Sequence, residues 1–94
     1  RPVTYDLQLL PEAIEDLAYW KRSGQKKVLK KIVALLEELK VHPQTGTGKP
    51  EALKGDFSGL WSRRIDKGAR LIYSIYEETV CVYVLSMRGH YGDK

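Results

Sequence analysis

A single carboxylate set among cations dominates the middle of this chain. GKPEALK (48–54) holds Glu51 between Lys49 and Lys54 in a segment punctuated by glycine and proline. SGLWSRRI (58–65) adds Arg63 and Arg64, Arg70 follows after a short turn, and Arg88 precedes a His90–Tyr91 pair. A carboxylate can take a proton, an imidazole can return one, and fixed cations can hold charge that develops on phosphorus-bound oxygens. Together these residue types suit chemistry on a phosphodiester. Arg63 and Arg64 are adjacent, so on a strand they face opposite sides. At most one joins a site on an open face; the other snorkels, pairs with an acid or meets a partner. Arg70, at the start of the next strand, is expected near Arg64 across a hairpin. Trp61 fits either a core position or a stacking platform, and a tail ending in MRGHYGDK reads as more than a frayed end.

The charge distribution supports that emphasis. Net charge is +4, from 16 Lys and Arg against 12 Asp and Glu. Residues 48–70 alone hold six cations and three acids, an excess that suits a polyanionic partner as well as a solvated basic face. His42 and His90 are far apart, and neither has a Cys or carboxylate at a metal-ligand spacing, so no metal is expected. Nucleotide-binding glycine patterns and a serine triad are absent too, and no cofactor is expected. With 43% hydrophobic and 30% charged residues the composition is that of a globular domain. No apolar run approaches the roughly 20 residues of a membrane-spanning helix, and no signal-peptide pattern opens the chain. Cys81, the one cysteine, sits in VCVYV and reads as a small buried hydrophobe. A reducing cytoplasm is the expected setting.

The elements that must position these residues follow from periodicity. VTYDLQLL (3–10) reads as a strand. PEAIEDLAYWKR (11–22) reads as a helix opened by Pro11, with Ile14, Leu17, Ala18 and Lys21 along one stripe and Gly24 beyond its end. QKKVLKKIVALLEELK (25–40) is a second amphipathic helix whose stripe is Val28, Ile32, Leu35, Leu36 and Leu39, with its lysines in solvent. A long irregular connection spans 41–59, and strands are expected at 60–65, 70–77 and 80–87. The order β-α-α-β-β-β predicts one α+β domain over residues 1–94. Two N-terminal helices pack on one face of a twisted antiparallel sheet of about four strands. The opposite face is left for the loop and the arginines.

GKPEALK, SGLWSRRI, ARLIYSI and the terminal HY resemble the YoeB (Txe-type) toxins of bacterial type II toxin–antitoxin modules, within the RelE superfamily. IEDLAYWKR, KKVLKKIVALLEELK and HPQTGTGKPEALK are similar to that family's two-helix region, so the likeness runs through nearly the whole chain. The resemblance implies a RelE-like, microbial-RNase-like α+β fold. It also implies a metal-independent endoribonuclease that cuts mRNA in the ribosomal A site and is held inactive by a cognate antitoxin. By position in the motifs, Glu51 matches the family's glutamate, Arg70 its arginine, and His90 and Tyr91 its terminal pair. Lys49, Lys54, Arg63, Arg64 and Arg88 are then candidate RNA contacts. A homodimer is compatible with the family, and operator DNA would be met only through the antitoxin. One departure is that Gly92, Asp93 and Lys94 continue past His-Tyr. Two rival readings are a toxin of the same scaffold that acts on gyrase and a plain nucleic-acid-binding module; neither gives Glu51, Arg70 and His90 a joint role.

Overall fold

In a computed structural model, residues 4–46, 48–66, 68–79 and 81–89 are described, the side chains of 57 and 89 excepted. Strand β1 (Asp6–Leu9) leads into helix α1 (Pro11–Ser23) and helix α2 (Lys26–Val41). A short strand β2 (Glu51–Ala52) and a 3-10 turn (Gly55–Phe57) follow, then β3 (Trp61–Arg64), β4 (Arg70–Tyr76) and β5 (Cys81–Gly89). The α+β architecture is as expected: two helices cover one face of a sheet. Two details differ. The sheet has five strands in the order β1-β5-β4-β3-β2, and it is mixed, because β1 runs parallel to β5 while the other pairs are antiparallel. The helix pair carries the chain from β1 at one edge of the sheet to β2 at the other, and β5 returns last to lie beside β1.

Helix α2 buries Val28, Ile32, Leu35 and Leu39, with Leu36 partly packed against the same core. An aliphatic stripe at helical spacing has one way to face a sheet, and α2 takes it. Helix α1 starts at Pro11 and ends on Gly24, whose φ of 75° supplies the left-handed turn. Its buried face is rotated from the expected one, although Leu17 of that stripe does pack, partly buried, against the core. Ala13, Asp16 and Trp20 are inside, while Ile14 is 55% exposed.

The cause lies in β5. Beyond Leu9, β1 no longer covers the outer edge of β5, and α1 takes over. The Leu10 N–H donates to the Val84 carbonyl at 3.0 Å. The Met87 N–H then donates to Asp16 Oδ2 at 2.9 Å, and Trp20 Nε1 donates to the Met87 carbonyl at 2.9 Å. Two α1 side chains thus stand in for a missing strand, and burying a carboxylate is tolerable because it is hydrogen-bonded there. The core between the layers includes Trp20, Ile32, Leu35, Leu39, Leu71, Tyr73, Val82, Val84 and Met87.

Candidate active site

Strand register decides which side chains share a face. Glu51 pairs with Ser62, Ser62 with Ile72, and Ile72 with Ser86, forming one row across β2 to β5. The neighbouring row is Arg64, Arg70 and Gly89. Directly opposed residues point to the same side, and successive residues along a strand to opposite sides. Leu71 and Tyr73 belong to the helix-side core. Arg70, Arg64, Ser62 and Glu51 therefore face the open side, with Arg64 and Arg70 directly opposed as expected. Glu51 sits one strand across and two residues along from Arg64, a diagonal of about 7–8 Å between backbones that both long side chains can bridge.

Glu51 and Arg64 are exposed and Arg70 is half-buried. Among the described residues no acid pairs with either arginine and no base with Glu51. Like charges directly across a ladder are unfavourable, so the open face is left with a need for an anion. Glu51 itself lies in a strand rather than in the expected loop, though that strand has only two residues. Just before it, Lys49 has φ 53°, the one positive φ outside glycine among the described residues. A residue preceding proline favours extended backbone, and such a conformation costs of order 1–3 kcal/mol. Lys49 and Arg64, with Lys31, Gly48, Ile65 and Asp66, line a cleft of about 370 Å³ that continues the basic surface towards α2. Lys54 is exposed, just after Leu53, which is buried and donates its N–H to the Leu60 carbonyl at 2.9 Å.

One of the candidate RNA contacts sits differently from expectation. Arg63 is fully buried, which removes it from any nucleic-acid surface. Its Nη1 donates to Glu38 Oε1 at 2.7 Å and its Nε to the Tyr73 hydroxyl at 3.2 Å. Its Nη2 donates to the carbonyls of His42 and, at 2.7 Å, Thr45. Of the alternatives open for the two adjacent arginines, pairing with an acid is what Arg63 does, and Arg64 is the one on the open face. Arg88 is exposed, with its guanidinium carbon 3.7 Å from the centre of the Tyr19 ring. The reason is a pair of irregularities in the β4–β5 ladder. Arg70 opposes Gly89, Ile72 opposes Ser86 and Tyr73 opposes Val84, so β5 carries an extra residue in each interval. The bulge nearest the strand end sets glycine opposite Arg70 and re-aims Arg88 towards α1. His90 and Tyr91 lie outside the described residues; Gly89, which leads into them, is Arg70's partner.

Four residues of consequence went unmarked in the sequence. Tyr73 donates its hydroxyl to the Pro43 carbonyl at 2.7 Å, and burial pushes its pKa up, partly offset by the Arg63 guanidinium. Glu38 is the acid that holds Arg63. Asp16, a carboxylate on the buried face of α1, was the nearest thing to a visible signal. Ser62, in the Glu51 row, is buried with its hydroxyl unpartnered.

Residues 9–91 match the model of the family described as YoeB-like toxin of bacterial type II toxin-antitoxin system. The chain is 40% identical over 91 residues to Toxin YoeB of Mycobacterium bovis, covering 97% of this chain and 99% of that one. Among solved structures, the YoeB dimer from Staphylococcus aureus superposes with a TM-score of 0.81 at 33% identity, covering 95% of this chain and all (100%) of that one. The toxin in a heterotetrameric YoeB–YefM toxin–antitoxin complex from the same organism does so with a TM-score of 0.78 at 34% identity, over 93% and 98% of the two chains.

Proposed function

Because the chain belongs to the YoeB-like toxins of bacterial type II toxin–antitoxin systems, we propose that it is an mRNA interferase: a ribosome-dependent endoribonuclease that cuts mRNA in the A site and blocks translation. The observation that carries this reading is the register that sets Glu51 diagonal to Arg64 and Arg64 opposite Arg70 on the face away from the helices. A general base and unpaired cations at that spacing match the size of one phosphodiester and its neighbouring ribose.

In the proposed reaction Glu51 takes the proton from a 2′-OH, which attacks the adjacent phosphorus. Arg70, with Arg64, Lys49 and Lys54 around it, stabilises the charge on the phosphorane oxygens. His90 protonates the departing 5′-oxygen, and Tyr91 stacks on or orients a base beside the cut. Products are a 2′,3′-cyclic phosphate and a 5′-OH, and every proton is accounted for without a metal. The setting is the cytoplasm, where ribosomes are; no helix among the described residues is long and apolar enough to cross a membrane. A cognate antitoxin neutralises the chain, as the pairing in the staphylococcal complex suggests. A homodimer is compatible with the staphylococcal dimer.

Primer extension on mRNA translated in the presence of the purified chain tests this. Discrete cuts within codons, with cyclic-phosphate ends and free mRNA left intact, are expected. Intact mRNA accompanied by gyrase-linked DNA breaks would replace this reading with the gyrase-directed one.

A further inference from the structure

The buried guanidinium of Arg63 gathers the backbone at His42 and Thr45, in the turn that leads towards Glu51. We propose that Arg63 is the positioning residue for the Glu51 carboxylate, acting with Tyr73 and Glu38 on the backbone of His42, Pro43, Thr45 and Gly48. The inference rests on the reading of Glu51 as general base.

Among the described residues Glu51 has only backbone to hold it: two ladder pairs in a two-residue strand, and hairpins that short are marginal alone. Downstream, buried Leu53 and its bond to Leu60 fix one end. Upstream, the anchor is Arg63. Its fork holds the carbonyls of His42 and Thr45 and the Glu38 carboxylate, while the Tyr73 hydroxyl, accepting from Arg63 Nε, holds the Pro43 carbonyl. The turn then closes onto the arginine's own stem. The Gly48 carbonyl accepts from the Arg64 N–H at 2.7 Å. A Cβ on Gly48, at φ 85°, would stand 3.3 Å from Arg63 Cβ and 3.1 Å from the Arg64 carbonyl oxygen. Only Lys49 and Pro50 separate Gly48 from Glu51, and the proline ring fixes one of the intervening dihedrals. A shift of the turn has only two residues in which to be absorbed before it reaches Glu51. A buried ion pair adds little stability over an apolar substitute but in some proteins fixes one arrangement, and that is the role proposed for Arg63 and Glu38.

Arg63→Lys keeps the charge and loses the fork. In single-turnover cleavage on ribosomes, kcat should fall about 10²-fold, the loss expected for a misplacement of about 1 Å, with KM unchanged. Tyr73→Phe, which removes only the Pro43 tether and the Nε acceptor, should lower kcat on the order of tenfold. Both losses should disappear when measured in a Glu51→Ala background, because a base that is gone cannot be misplaced. Multiplicative losses in that background, a change in KM alone, or full activity in either folded variant would overturn the inference. If Arg63→Lys does not fold, Tyr73→Phe decides the matter by the same criteria. Wild-type cleavage by Glu51→Ala alone would overturn the base assignment, and this inference with it; the other adverse results overturn the inference only.

Discussion

Arg70→Gln should make the protein more stable and nearly inactive, two effects of one charge. Arg64 and Arg70 are directly opposed across β3 and β4, and neither forms an ion pair with an acid among the described residues. Two like charges ~7 Å apart in water repel by about 0.6 kcal/mol, within the ~0.2–1 kcal/mol range of cross-strand pairs. For a domain of this length that repulsion corresponds to roughly 2–5 °C in Tm. The glutamine retains most of the aliphatic stem of a half-buried residue, so packing should change little. At 0.5 M salt the screening length drops to about 4 Å, and the gain should largely vanish. Arg64→Gln should give the same gain, and the double variant no more, since removing either charge ends the repulsion. Cleavage should respond in the opposite sense, with Arg70→Gln losing about 10²–10³-fold in kcat as one transition-state donor disappears. Thermal denaturation at low and high salt, paired with single-turnover cleavage on ribosomes, reads both quantities. A lowered Tm, or a gain that survives 0.5 M salt, would refute the repulsion argument. Cleavage within tenfold of wild type would remove Arg70 from the reaction.

Further outcomes follow from other contacts. Trp20→Phe leaves the buried Met87 carbonyl without its donor and should destabilise the fold by about 1–3 kcal/mol, seen as a lower urea midpoint at unchanged slope. Tyr73 has its pKa raised above the ordinary 10.0, first by burial, so the folded state favours the neutral phenol. Its contribution is complete below about pH 10 and is lost as pH rises through the folded value; Tyr73→Phe should flatten that alkaline fall. Tyr5, raised by its hydrogen bond to Glu77, adds a fall of the same sign, separable with Tyr5→Phe. An RNA with sulfur in place of the scissile 5′-oxygen should rescue His90→Ala, because that leaving group needs no proton, and should leave Glu51→Ala slow; the reverse pattern would exchange the base and acid assignments.

How far the sequence revealed this structure depends on what each element asks of its residues. Helix α2 was legible because its inward stripe is purely aliphatic. Helix α1 was misphased because its inward face carries Asp16 and Trp20, whose polar atoms are bound to the Met87 peptide, and hydropathy cannot anticipate a partner 67 or 71 positions away. The parallel pairing of β1 with β5 was invisible for the same reason: nothing in Asp6–Leu9 names Cys81–Val84 as its neighbour. Strand β2 is too short to show a period. Alternation along β3 established that Arg63 and Arg64 part company, but which one enters the protein depended on Glu38 and on a turn folded by its glycines. At Gly46 (φ 120°) a side chain would run into the Glu38 carboxylate, so the acid and the turn are matched to each other.

The two faces of the sheet treat charge in opposite ways, and the proposed activity depends on that contrast. Towards the helices, the buried charged groups are bound within the protein: Arg63 by Glu38 and backbone carbonyls, Asp16 by the Met87 N–H. Away from them, Glu51, Arg64 and Arg70 are held at fixed spacing by the ladder with no partner of their own among the described residues. Charges satisfied internally fix geometry and contribute nothing to a ligand. Charges left unsatisfied offer binding and transition-state stabilisation but cannot fix their own positions. In the proposed reading adjacent residues of β3 divide these tasks, Arg63 ordering the turn before the proposed base and Arg64 standing on the face proposed for substrate. A single-residue slip of β3 would exchange them, placing an unpaired guanidinium in the core and leaving the turn before Glu51 without its anchor.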